Sequence, residues 1–205
     1  MPVNQTHLMP GDHETPDCRI VLVRHGQTEW SATGRHTGRT DVALNDVGRG
    51  QASALEPALA GYRFVRVLTS PRSRASDTCR LALPGQVAEV DADLDEWDYG
   101  DYEGLTTVEI QKSVPGWTVW THPCPGGESL AAIGVRADRV LQRCRDVDGD
   151  VLLVAHGHLL RVLAARWLGL APIEGRRLLL DPATVSALGH ERGVAAVASW
   201  NSPAG

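Results

Sequence analysis

The chain lacks the marks of several protein classes. Its four cysteines, Cys18, Cys79, Cys124 and Cys144, form no C-x-x-C pair, which excludes a zinc ribbon or thioredoxin-like redox site. Four thiols scattered over 205 residues also argue against a disulfide scaffold, and reduced thiols in a cytoplasmic protein are expected. No apolar run reaches the roughly 20 residues that span a membrane as a helix. Residues 1–17 have no basic start followed by an apolar run, and Pro2, Pro10 and Pro16 interrupt them. That stretch reads as a flexible tail and not as a signal peptide. A net charge of −5 offers no overall basicity to hold nucleic acid. There is no repeat of fixed period and no low-complexity tract.

Aromatic residues are also few, ten in all. Eight of them lie between positions 30 and 120, among them Trp30, Trp97, Tyr99, Tyr102, Trp117 and Trp120. Such clustering points to a local feature, such as the wall of a substrate cleft. At 42% apolar and 22% charged residues the chain can bury a core.

Short β-branched runs alternate with longer helical patterns. Strands are expected at 20–23, 64–68, 87–90 and 151–155, with weaker ones at 185–188 and 194–198. Helices are expected from Asp46 to about Ala60 behind the cap Asn45, after Pro71, from Ser129 to about Arg145, and from His158 to Leu168. Thr106 and Glu109 have capping-box spacing for one short helix. This alternation predicts a mostly parallel sheet with helices on both faces. Residues 18–205 form one domain in this reading, with a small cap at about 91–128.

Two segments share a design. Ile20–Gly26 and Val151–Gly157 are each a buried run ending in His-Gly. Ligands of open α/β sheets bind beyond the carboxyl ends of strands, so His25 and His156 would face one crevice. Gly26 and Gly157 would let backbone approach the ligand. The helix after Gly157 offers free N–H groups to an anion. A third strand end leads to Arg72 and Arg74. Two histidines, Arg24, one or two further guanidiniums and a helix start suit a phosphoryl group, because arginine binds phosphate oxygens bidentately and stays charged. Histidine is also a competent nucleophile towards phosphorus. The rival reading is zinc on His156 and His158, completed by His25 or Asp95; the surrounding arginines oppose it. The run from Asp93 to Glu103 carries six carboxylates. Most would be solvated, with one raised in pKa by Trp97 and its acidic neighbours to serve as a general acid.

Arg24-His25-Gly26-Gln27-Thr28-Glu29-Trp30, followed by Thr37-Gly38-x-x-Asp41, resembles the signature of the histidine phosphatase superfamily, in its phosphoglycerate-mutase-like branch. Ser70-Pro71-Arg72-Ser73-Arg74-Ala75-x-x-Thr78, Glu96-x-x-x-Gly100-x-x-Glu103-Gly104, Gly127-Glu128-Ser129 and Ala155-His156-Gly157-His158-x-x-Arg161 are similar to its further motifs, in order. The resemblance implies a three-layer α/β/α sandwich that needs no metal or cofactor. It implies that His25 becomes phosphohistidine and that Arg24, Arg74 and His156 surround the phosphoryl group. Glu96 would be the proton donor and then the base. Ser31, Thr37, Gly38, Tyr99 and Gly157 are the expected substrate contacts, and Trp117 and Trp120 either join them or only pack the cap.

Cofactor-dependent mutases of the family differ at Ser31, Gly34 and His36. They also carry a long basic insertion, whereas Lys112 is the sole basic residue between Glu96 and Glu128. In motif detail the chain is closest to actinobacterial acid phosphatases and fungal sedoheptulose-bisphosphatase-like enzymes. The expectation is a phosphomonoesterase of acid phosphatase type acting on a small phosphorylated metabolite, with neither nucleic acid nor membrane as partner and with a homodimer as its assembly. The alternatives are a phosphoglycerate mutase, or a catalytically silent module that binds phosphorylated ligands.

Overall fold

The computed structural model describes residues 19–145 and 147–204. The expected flexible tail, 1–17, lies outside the described residues, as does Cys18. Six strands form one sheet: β1 (Ile20–Arg24), β2 (Phe64–Thr69), β3 (Glu89–Val90), β4 (Asp150–Ala155), β5 (Val185–Glu191) and β6 (Val194–Ser202). Their order is β3-β2-β4-β1-β5-β6. β1, β2, β3 and β4 run parallel, while β5 and β6 form an antiparallel pair against β1.

The central strands are apolar at nearly every position because both faces are covered. Ile20 and Leu22 of β1 and Val151, Leu153 and Ala155 of β4 point into one core, which they share with helices α6 (Leu130–Cys144) and α7 (Gly157–Trp167). Val21, Val23, Leu152 and Val154 point to the other face. There they meet Leu55, which joins α2 (Asp46–Ala54) to α3 (Glu56–Leu59), and side chains of α3 and of α4 (Ser73–Ala82). The side-chain period of two thus builds the α/β/α sandwich directly. The short helices α1 (Glu29–Ala32) and α5 (Thr107–Gln111) complete the set, the latter with the Thr106/Glu109 capping box.

Two helices differ from expectation. The segment 46–60 breaks at Leu55 into α2 and α3, because Pro57 has no N–H for the helix ladder. Helix α4 starts at Ser73, not at Pro71. Its start is capped from outside by Asp41, whose carboxylate accepts from both the Ser73 N–H and Oγ at 2.9 Å.

The cap region is packed into the main core and not set apart from it. Trp97, Tyr99, Ile110 and Trp117 lie in the same cluster as the β1, β4, α6 and α7 side chains. Among the described residues no helix is long and apolar enough to cross a membrane.

Candidate active site

Parallel register brings three strand ends to one edge. Arg24 pairs with Ala155 and Thr69 with Val154, and the next residues continue the ladder. The His25 N–H donates to the Ala155 carbonyl at 2.9 Å, and the Ser70 N–H to the Val154 carbonyl at 3.1 Å. His25, His156 and Ser70 therefore stand side by side, the two imidazoles 5.1 Å apart between ring centroids.

His25 has Nδ1 2.7 Å from the Gly26 carbonyl. A carbonyl only accepts, so the proton sits on Nδ1 and Nε2 keeps its lone pair. Burial pushes the His25 pKa well below 6.5, and Arg24 and Arg74 push it further, so the ring stays neutral. His156 is bound differently. Its Nδ1 accepts from Arg74 Nε at 3.2 Å, and its Nε2 lies 2.7 Å from Ser70 Oγ. Ser70 Oγ in turn donates to Asp95 at 3.2 Å. Burial, then Arg74, lowers the His156 pKa well below 6.5. Both its nitrogens are thus engaged with protein groups, and among the described residues no cluster of three or more His, Cys, Asp or Glu side chains is placed to hold a metal ion.

Arg74 is fully buried. Besides His156 it donates to the carbonyls of Thr37, Gly38 and Thr40. Arg72 instead turns away to Asp95, at 2.6 Å, and to the Arg39 carbonyl. Of the one or two further guanidiniums expected at this rim, Arg74 is the one beside His156. Arg24 donates to the Leu180 carbonyl at 2.6 Å. Its Nε is the single buried side-chain nitrogen or oxygen left without a hydrogen-bond partner among the described residues. A cleft of about 190 Å³ opens here.

Glu96 lines this cleft and occupies the helix start reserved above for an outside anion. Its Oε1 accepts from the N–H groups of Trp97 and Leu159, each at 2.9 Å, and its Oε2 from that of His158 at 3.0 Å. The like charge expected around it is neutralised, since Asp95 is paired with Arg72 and Asp98 with Arg39. The acidic run is not mainly solvated either. Asp93 is held by Arg139 and Arg143, which lowers its pKa, and Glu103 accepts from the Gly38 and Thr40 N–H groups.

Of the expected substrate contacts, Ser31, Thr37, Tyr99 and Gly157 line the cleft. Gly38 does not. It is buried, and a Cβ there would stand 2.6 Å from the Trp97 carbonyl oxygen. Gly26 is likewise a packing glycine, since a Cβ would meet the Gly48 carbonyl oxygen at 2.4 Å. Gly157 borders Arg24, where a Cβ would stand 3.3 Å from Arg24 Nε. Trp117 is buried in the cap, and Trp120 lies over the Arg161 guanidinium at 4.7 Å, so neither lines the cleft. Arg35, His158, Arg161 and Leu180 are lining residues that were not expected as contacts. Arg161 was within reach of sequence reasoning, because it follows Gly157 by four residues and so shares its helix face.

A neutral histidine with a free ring nitrogen thus stands beside Arg24 at the carboxyl edge of the sheet, with Arg74 of α4 behind it, on an α/β sandwich. Residues 20–203 match the model of the histidine phosphatase superfamily, branch 1, and the chain belongs to that family. An acid phosphatase of Mycobacterium tuberculosis is 46% identical, over 86% of this chain and 88% of its own. A sedoheptulose 1,7-bisphosphatase of Saccharomyces cerevisiae is 38% identical, over 76% and 69%. The solved structure of a Mycobacterium tuberculosis open reading frame superposes with a TM-score of 0.85 at 42% identity, covering 91% of this chain and 98% of that one. The chain is an enzyme that hydrolyses phosphate esters.

Proposed function

We propose that the enzyme is an acid-phosphatase-type phosphomonoesterase in which the phosphoryl group of a small metabolite passes first to Nε2 of His25 and then to water. The observation that carries this reading is an unprotonated ring nitrogen next to a buried, unsatisfied Arg24 Nε. Nothing buried remains without a partner at low cost, and a phosphoryl oxygen supplies the missing acceptor. The Nε2 lone pair attacks phosphorus, the P–O ester bond breaks, and the leaving oxygen takes a proton. Water then attacks the phosphohistidine, the N–P bond breaks, and inorganic phosphate departs.

Glu96 supplies that first proton and accepts one from the attacking water. Its Oε1 already accepts two N–H bonds while Oε2 accepts one, so Oε2 is the oxygen with room for the proton. Arg24 and Arg74 offset the charge of the phosphoryl oxygens, and His156 holds Arg74 at its Nε. The buried, unpaired thiols of Cys79 and Cys124 support a reducing, cytoplasmic location.

Rapid quench with a chromogenic phosphate ester tests this. An acid-labile, base-stable phosphoryl adduct on His25 should form within one turnover and vanish in His25→Ala. Steady turnover with no adduct, or with the adduct on another residue, would overturn the proposal.

A further inference from the structure

The Gly127-Glu128-Ser129 motif has no part in the proposed chemistry, and neither Glu128 nor Arg136 lines the cleft. Both nevertheless hold the segment that carries Glu96. Residues 95–99 form neither helix nor strand, so no regular ladder of backbone bonds fixes them. Arg136, on α6, takes over that task. Its Nη1 donates to the carbonyls of Asp93, at 2.9 Å, and of Asp95, and its Nη2 to the Glu96 carbonyl at 3.2 Å. Its Nε and Nη2 also donate to the two carboxylate oxygens of Glu128, at 3.0 and 2.6 Å. A guanidinium has five N–H donors, and every one of them is used here.

Each residue of the motif contributes. Gly127 lets the turn come close, since a Cβ there would stand 2.4 Å from the Asp98 carbonyl oxygen. Glu128 neutralises Arg136 where both side chains are largely buried. The Glu128 backbone brackets the residues after Glu96. Its N–H donates to the Asp98 carbonyl at 2.9 Å, and its carbonyl accepts from Trp97 Nε1 at 2.8 Å. Ser129 caps α6 by accepting from the Ala132 N–H at 3.1 Å, and Arg136 stands about two turns further on. Glu96 is thus held at both ends by two helices. The start of α7 holds its carboxylate, and α6 holds its main chain.

Building on the reading of Glu96 as the acid, we propose that Arg136, braced by Glu128, is a positioning residue for that proton donor. The clamp sets the main chain from which Glu96 reaches into the cleft, and so sets where Oε2 meets the leaving oxygen. A misplacement of about 1 Å can cost about 10²-fold in rate. The clamped segment also carries Asp95, whose carboxylate takes the Ser70 Oγ–H beside His156. Displacing Asp95 would weaken turnover of every ester alike. Displacing the acid harms only those esters whose leaving oxygen needs a proton. That difference separates positioning of Glu96 from a general structural role.

Values of kcat/KM on a sugar phosphate and on p-nitrophenyl phosphate test this, because they cover transfer to the enzyme and not the later attack of water. Arg136→Gln should cost about 30-fold on the sugar phosphate and about threefold or less on the nitrophenyl ester. Arg136→Lys should behave alike, because an ammonium keeps the charge but cannot span the three carbonyls. In a Glu96→Gln background, Arg136→Gln should cost almost nothing further on the sugar phosphate, since the one residue acts through the other. Equal losses on the two esters in Arg136→Gln would overturn the proposal, as would losses that multiply in the double variant. If Arg136→Gln does not fold, Glu128→Gln decides by the same two readouts, with a loss of about fivefold confined to the sugar phosphate. Glu96→Gln alone tests the acid separately. If it shows the contrast between esters and Arg136→Gln does not, the acid stands and the clamp falls. If Glu96→Gln shows no contrast, the acid and its clamp fall together.

Discussion

The two His-Gly strand ends look alike in sequence and differ in every contact that matters. β1 and β4 are hydrogen-bonded neighbours in register, yet the chain leaves His25 into a loop and enters a helix straight after His156. After His25, the Gly26 carbonyl turns back to take the Nδ1 proton. Nε2 is left with a free lone pair. After His156, the ring is caught between Arg74 and Ser70. The Arg74 Nε always carries hydrogen, so His156 Nδ1 must accept and Nε2 must donate. One dipeptide thus yields a histidine with a reactive lone pair and a histidine whose lone pair is spent. The motif places an imidazole at the strand end, and the residue that meets Nδ1 assigns its work.

The sharpest way to break this contrast is to install glutamine at each position. Glutamine can accept from Arg74 and donate to Ser70, but it cannot carry phosphorus. His25→Gln should be as inactive as His25→Ala, each losing about 10⁴-fold or more in kcat. His156→Ala should lose about 10²-fold, with His156→Gln recovering part of that loss. Steady-state rates on one chromogenic ester are enough to decide. Equal losses for His25→Gln and His156→Gln would show that both imidazoles act chemically.

How much of this was legible depends on distance along the chain. The strands, the two His-Gly ends, Arg24 and Arg74 are written locally, in apolar runs and in the residues that follow them. Ser129 and Thr106 announced their helices in the same way. What stayed hidden needed partners far away. The acidic run from Asp93 to Glu103 looks like a solvated face until Arg39, Arg72, Arg139 and Arg143 arrive from other elements. The helix start of α7 looked open to a ligand, but Glu96 fills it from 62 positions away. The antiparallel turn of β5 and β6 is equally invisible, because a strand has the same composition in either direction.

Glu96 offers the next test, with an effect smaller than that of His25 for good leaving groups. An alkoxide leaves poorly without a proton, whereas nitrophenolate leaves unaided. Glu96→Gln should therefore slow hydrolysis of a sugar phosphate by about 10³-fold and of p-nitrophenyl phosphate by about tenfold. The glutamine keeps one oxygen for the helix N–H groups, so α7 should stay anchored. Equal slowing of both esters would point to water attack on phosphohistidine as the shared slow step, and a burst of nitrophenolate would identify it. Wild-type rates on both esters would remove Glu96 from the chemistry.

The smallest expected effect concerns stability, and it follows from the neutrality that both strand-end histidines share. Burial also lowers the pKa of His36 to about 4, against roughly 6.5 in an unfolded chain. Below pH 6.5 the unfolded chain takes up a proton that the folded chain refuses, so folding stability is full above about pH 6.5 and falls as the pH drops towards 4. His25, His156 and His158 act with the same sign, because burial holds each of them well below 6.5. His36 alone should account for about 2 kcal/mol across its window after allowance for its partial exposure. Glutamine at this position can keep the contact to Thr107 Oγ1, seen at 3.2 Å, without titrating. Urea midpoints of the wild type should therefore drop between about pH 7 and pH 4.5, and those of His36→Gln should drop less steeply. Parallel curves for the two proteins would place His36 in contact with solvent and leave the loss to the buried pair at the strand ends.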